Sequence, residues 1–161
     1  YAAPLSNNST FIGTNAGDSA SGASQSNFIG LNAGNGASGA IRSNFFGYNA
    51  GFAAAGASDS TFIGYGAGYN SNSTESIFIG NSSGVNATGT SNILLGTSTS
   101  LDPVTLTGCL VLGNGAQATQ NNSVALGSTT SPYLTSGSGS NTNSFLVVRL
   151  NGVDRKIPIW T

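Results

Sequence analysis

Two adjacent apolar residues closed by a glycine recur along the chain, separated each time by about a dozen small or polar residues. The copies read STFIG at 9–13, SNFIG at 26–30, SNFFG at 43–47, STFIG at 60–64, SIFIG at 76–80, NILLG at 92–96, CLVLG at 109–113 and SVALG at 123–127. Successive closing glycines lie 17, 17, 17, 16, 16, 17 and 14 residues apart. No apolar period of 3.6 residues is sustained, and the density of Gly, Ser, Thr and Asn opposes helix. Each copy therefore predicts a short strand, a turn rich in Asn, Ala and Gly, and a small-residue return. Together they predict an all-β fold: a parallel β-solenoid, or β-roll, of about eight coils of 14–17 residues over residues 9–127. The glycines supply corners where φ turns positive. At about 4.8 Å per coil, eight coils make a rod segment of about 38 Å.

Stacking turns equivalent positions into columns. One column holds Phe11, Phe28, Phe45, Phe62 and Phe78, continued by Leu94, Val111 and Ala125. The next holds Ile12, Ile29, Phe46, Ile63 and Ile79, continued by Leu95, Leu112 and Leu126. Neighbouring strand residues point to opposite faces, so one column fills the coil and the other faces outward. An apolar stripe of that length exceeds what monomers ordinarily expose. The economical cover is sister chains, and the expectation is a homotrimer. A monomer covered by its own second strand is the alternative. The position before the Phe column also changes, from Thr10, Asn27, Asn44 and Thr61 to Ile77, Ile93, Leu110 and Val124, while the Phe column shrinks. This reads as bulk moving from one strand face to the other at constant packing, with a change of cross-section near residues 76–96.

Composition narrows the function classes. Charged residues make up 6% of the 161, with a net charge of −1, against about a quarter in ordinary domains. Low charge with 38% hydrophobic residues argues against disorder, and four scattered bases cannot hold a run of phosphates, so no nucleic-acid partner is expected. No apolar run reaches the roughly 20 residues of a membrane-spanning helix, and no membrane insertion is expected. The chain begins at Tyr1 and has no Met, which points to part of a longer product. Cys109, the one cysteine, takes the slot that Ser fills in other copies; it reads as a small packed residue, with covalent linkage as the alternative.

Catalytic motifs carry little weight. GNGASG at 34–39 fits G-x-G-x-x-G without the βαβ context, and GNSSG at 80–84 fits G-x-S-x-G in a chain with no histidine to act as base. Zero His and one Cys argue against a zinc or copper site, and Asp18, Asp59, Glu75, Asp102 and Asp154 form no close pair or calcium repeat in the sequence. No enzyme activity, cofactor or metal is expected. The Asn-x-Ser/Thr triplets at Asn7, Asn8, Asn72, Asn81, Asn86 and Asn121 are what such a composition yields by accident.

One cluster stands out. Copies three and four place Tyr48 and Tyr65 just after the corner glycine, and Phe52 and Tyr69 five residues after it, on neighbouring rungs. Stacked aromatics with polar tips suit sugar rings, so these four are candidate receptor contacts, with Tyr133 and Trp160 as further candidates. Packing over the coil corner or on a sister subunit is the alternative role.

Residues 1–8 lead into the repeats, and 128–143 form a Gly/Ser/Pro connector. Residues 144–161 contain FLVVRLNGVDRKIPIWT, two apolar-rich strands around Asn151-Gly152, a hairpin signal. The hairpin reads as a cap on the solenoid end, or else as a receptor-touching tip.

NNSVALGSTT at 121–130 resembles the head repeat of YadA-like trimeric autotransporter adhesins, which implies a left-handed parallel β-roll in a trimer. SNFIGLNAG and its relatives resemble repeats of phage tail-fibre proteins. The resemblance spans residues 9–127 and implies a non-enzymatic trimeric fibre segment on a virion surface, mediating attachment to a host glycan or protein. The alternative is a bacterial surface adhesin or extracellular filament. An ice-binding face is disfavoured, since the column after the glycine reads Thr14, Leu31, Tyr48, Tyr65, Asn81 rather than a Thr ladder.

Overall fold

A computed structural model describes residues 8–128 together with the strands at 145–150 and 153–158. Tyr133, Trp160, the connector and the Asn151-Gly152 turn lie outside the described residues. The strands, in chain order, are β1 (Thr10–Ile12), β2 (Asn27–Ile29), β3 (Asn44–Phe46), β4 (Thr61–Ile63), β5 (Ile77–Ile79), β6 (Ile93–Leu95), β7 (Ser100–Leu101), β8 (Leu110–Leu112), β9 (Gln117–Ala118), β10 (Val124–Leu126), β11 (Phe145–Leu150) and β12 (Val153–Pro158). Among the described residues there is no helix.

Eight strands, β1-β2-β3-β4-β5-β6-β8-β10, form one parallel sheet. The fold is thus the parallel β-solenoid, with seven complete turns between its eight strands. Register follows the columns: Phe11 pairs with Phe28, Phe28 with Phe45, Phe45 with Phe62, Phe62 with Phe78, and Phe78 with Leu94. β11 and β12 pair antiparallel, with Leu150 opposite Val153.

The Phe column is the one inside. Phe28, Phe45, Phe62 and Phe78 are fully buried, as are Leu94 and Val111 below them. The rings form a continuous stack from Phe11 to Phe78, with centroids 4.7–4.9 Å apart and planes within 8° of parallel. Rung spacing and ring thickness nearly coincide, so one ring per coil fills the interior without gaps.

The rest of each coil is cut to fit that ring. The other inward positions of the coil from Phe28 are Ala33, Ala37, Ala40 and Ser43, all fully buried. Gly34, with φ +61°, lies flat against the Phe28 ring, and a Cβ there would enter the ring's volume. The corner glycines do a second job. Gly30 has φ +134°, and a Cβ on it would collide with the carbonyl of Gly47 in the next coil. Closely stacked corners with no side chain hold the coils in register.

The serine before each strand completes the interior. Each Oγ accepts the backbone N–H of its counterpart one coil on: Ser43 N–H to Ser26 Oγ at 3.0 Å, Ser60 to Ser43 at 3.3 Å, Ser76 to Ser60 at 3.2 Å and Asn92 to Ser76 at 3.1 Å. Asn92 takes over the role, its Oδ1 accepting Cys109 N–H at 2.9 Å. Cys109 fills the serine slot as a buried side chain, with Sγ 3.3 Å from the Gln120 carbonyl.

The expected transfer of bulk between strand faces is corrected by this interior. Where the Phe column shrinks to Leu94 and Val111, volume returns inside the same coils, through buried Asn92, Thr99, Leu101 and Leu106 where earlier coils carry Ser or Ala. The outward Ile77, Ile93, Leu110 and Val124 are no part of that compensation. Away from the main sheet, an isolated parallel bridge pairs Thr74 with Thr90, and further on β7 and β9 pair as a second parallel ladder, Ser100 with Gln117 and Leu101 with Ala118.

Candidate ligand-contact surfaces

The outward face of the eight-stranded sheet carries the second column. Ile12 is 55% exposed, Ile29 and Ile79 are exposed, and Phe46, Ile63, Leu95, Leu112 and Leu126 are half-buried. On the last four rungs the column before the core residue is apolar too. Ile77 and Ile93 are exposed, Leu110 is half-buried, and Val124 is 64% exposed. The face is therefore a single apolar stripe beside polar Thr10, Asn27, Asn44 and Thr61, then a double stripe from β5 to β10. It bears no charged residue on any rung.

The four turn aromatics meet in pairs. Tyr48 stacks on Tyr65 with centroids 5.0 Å apart and planes 6° from parallel, and Phe52 on Tyr69 at 5.1 Å and 7°. Tyr48, Tyr65 and Tyr69 are exposed, and Phe52 is half-buried. Stacking closes the ring faces within each pair, so what these residues offer solvent is ring edges, hydroxyls and the terminal faces. Below Tyr65 the column continues with Asn81, and below Tyr69 with Val85, so both stacks end in a step.

An amide ladder runs between the aromatic columns. Asn15 Nδ2 donates to Asn32 Oδ1 at 3.1 Å, and Asn32 Nδ2 to Asn49 Oδ1 at 3.0 Å. These residues have φ of 53–55°, the left-handed region that Asn tolerates. The next position is Gly66, also left-handed, where the ladder stops. Sequence reasoning missed the ladder and its end, although the signal is plain: copy four reads GYGAG where copy three reads GYNAG.

No family model and no curated protein matches the chain.

Charge is sparse, and the ion pair among the described residues lies at a different corner. Arg42 and Asp59, one coil apart in the column before the serine ladder, form a two-pronged ion pair, Nε to Oδ1 at 2.5 Å and Nη2 to Oδ2 at 2.7 Å. The hydrogen bond to Arg42 holds the Asp59 carboxyl below its ordinary value, and the same bond raises Arg42. In the next coil Glu75 accepts the Ser91 hydroxyl at 3.0 Å. Among the described residues no group of three or more metal-ligating side chains gathers, and no helix is long and apolar enough to cross a membrane.

Proposed function

We propose that this chain is a non-enzymatic, structural segment of a homotrimeric fibre, carried on a virion as part of a tail fibre and contacting the host surface. The observation that carries the reading is the outward column from Ile12 to Leu126: one apolar side chain on every rung, on a flat face with no charge. An apolar stripe eight rungs long, about 34 Å at 4.8 Å per step, suits association better than water. Sister copies are the fitting cover, because each carries the same stripe with the same rung spacing and three such faces close around an axis without leaving an open edge.

The mechanism is mechanical and multivalent. A stack of coils, each bonded to the next along its whole perimeter, is a stiff spacer. Three identical chains would present three copies of any weak contact surface together and raise avidity without a strong single site. Placement on a virion rests on the likeness of the SNFIGLNAG-type repeats to those of phage fibres, and the exposed aromatic turns are the surface best suited to touch a host.

Sedimentation velocity with electron images of the purified chain tests the reading. The expected result is three times the chain mass in an elongated particle. A single-chain mass in dilute buffer overturns it.

A further inference from the structure

The column that holds Asn15, Asn32 and Asn49 continues through Gly66 to Ser82. In the ladder each Nδ2 donates to the amide oxygen one rung on, and Asn49 Oδ1 is taken by Asn32. Asn49 Nδ2 has no acceptor, because the residue that would provide one is a glycine. The position a side chain would take at Gly66 has room: apart from its chain neighbours Tyr65 and Ala67, the one atom within 4 Å of a Cβ placed there is Ser82 Oγ, at 3.8 Å. Gly66 itself is buried, so the opening beside it is narrow.

What surrounds the opening is unusual for this chain. Tyr65 and Tyr69 flank Gly66 on the same turn, both exposed, and both end their stacks on that rung. Leu31, Tyr48, Tyr65 and Tyr69 are also the large exposed hydrophobics concentrated at this corner, away from the sheet face. The turns at 47–55, 64–71 and 80–88 contain no charged residue. The corner thus combines apolar ring surface, phenolic hydroxyls, an amide donor with no partner in the protein and a serine hydroxyl that donates to Asn81 Oδ1 at 2.8 Å, with no net charge.

We propose that the opening at Gly66 is a binding site for a neutral saccharide. One ring oxygen, hydroxyl or hydroxymethyl group enters it and accepts from Asn49 Nδ2, with Ser82 Oγ at the far side. The apolar face of the sugar lies against the terminal ring faces of Tyr65 or Tyr69, on the step left by Asn81 and Val85. Sugars match this site because they pair hydroxyls with an apolar ring face, and a ring adds one more layer at the spacing the stacks already keep. The absence of a cation disfavours sialylated or sulfated sugars. The proposal rests on the host-contact part of the function above, and not on the trimer, since every residue of the site comes from one chain.

The discriminating variant is Gly66→Asn. Its φ of +60° is that of the other ladder residues, and the opening accepts a side chain, so the substitution extends the ladder and fills the opening without disturbing the fold. Binding is measured to immobilised glucose, galactose, mannose and N-acetylglucosamine glycosides, with sialylated and sulfated sugars as controls, and sedimentation mass is measured on the same samples. The expected result is binding to at least one neutral glycoside, weakened about tenfold or more by Gly66→Asn and by Tyr65→Ala, with mass unchanged. No binding by the wild type at millimolar sugar overturns the site; so does binding that Gly66→Asn leaves intact, or a variant that loses mass together with binding. A single-chain mass with sugar binding retained would remove the fibre reading and leave the site standing. A threefold rod without sugar binding would do the reverse.

Discussion

Ser26 Oγ accepts the backbone N–H of Ser43 at 3.0 Å and donates to the Ala40 carbonyl at 2.8 Å, entirely inside the coil. The hydroxyl serves as a rung of the backbone ladder where the chain itself cannot. Arg42, just before Ser43, sits at φ +55°, which breaks strand geometry and would leave the next N–H buried without a partner. Ser43→Ala takes the acceptor from Ser60 N–H, and the expected loss is about 1–3 kcal/mol in urea unfolding at fixed protein concentration.

Ser73 predicts the opposite sign. It occupies the inward column that holds Ala23, Ala40 and Ala57, is fully buried, and its hydroxyl has no hydrogen-bond partner. Replacing it by the alanine of its neighbours removes a desolvated polar group at no loss of contact. Ser73→Ala should stabilise the chain by about 1 kcal/mol or more, read as an increase in the urea midpoint.

The Phe stack predicts where volume matters. Phe45→Ala opens a cavity between two rings that keep 4.7–4.8 Å spacing on either side, with an expected cost of about 3–5 kcal/mol. Gly34→Ala attacks the same interior from the opposite wall. It forces a Cβ into the Phe28 ring at φ +61°, and should cost more than the roughly 1 kcal/mol of left-handed strain alone. Because contacts are between neighbouring coils, either lesion should also broaden the unfolding transition.

These interior features mark how far the sequence can be read. The coils, their register and the Ser slot of Cys109 follow from spacing, since parallel stacking turns a fixed period into columns. Which apolar column lies inside does not follow from Phe and Ile alone, both of which suit a core. It follows from their surroundings: Gly34 makes room for the ring, and Ala33, Ala37 and Ala40 leave space for nothing larger. The same blindness made the shrinking Phe column look coupled to the outward residues, when Leu101 and Leu106 restore its volume from distant parts of the coil. The candidate aromatics were legible as neighbours, but closure of their inner ring faces depends on side-chain orientation, which no pattern encodes.

The Arg42–Asp59 pair gives a pH prediction with a definite sign. The folded-state value of Asp59 lies below its ordinary 3.8, so the carboxylate contributes stability that is present above that ordinary value and is lost as pH falls through the lowered one. Both side chains are exposed, so the contribution is small and screened by salt. The melting difference between wild type and Asp59→Asn should be visible at pH 7 and low salt, shrink in 1 M salt, and vanish in acid below the folded-state value.

Leu112 and Asn114 lie on either side of the corner at Gly113, two residues apart in one coil, one on the apolar sheet face and the other beyond it. Leu112 points outward from β8 in the middle of the double apolar stripe, between Leu95 and Leu126, while Asn114 is exposed beyond the corner. A lysine at either position leaves the coil interior untouched, because neither side chain points inward. If sister chains cover the stripe, Leu112→Lys buries three ammonium groups near a common axis, where desolvation and like charge both oppose them. Its sedimented mass should fall to that of one chain at micromolar concentration, whereas Asn114→Lys should keep the wild-type mass. Equal masses for the two variants would mean that the stripe is not the surface on which the chains meet.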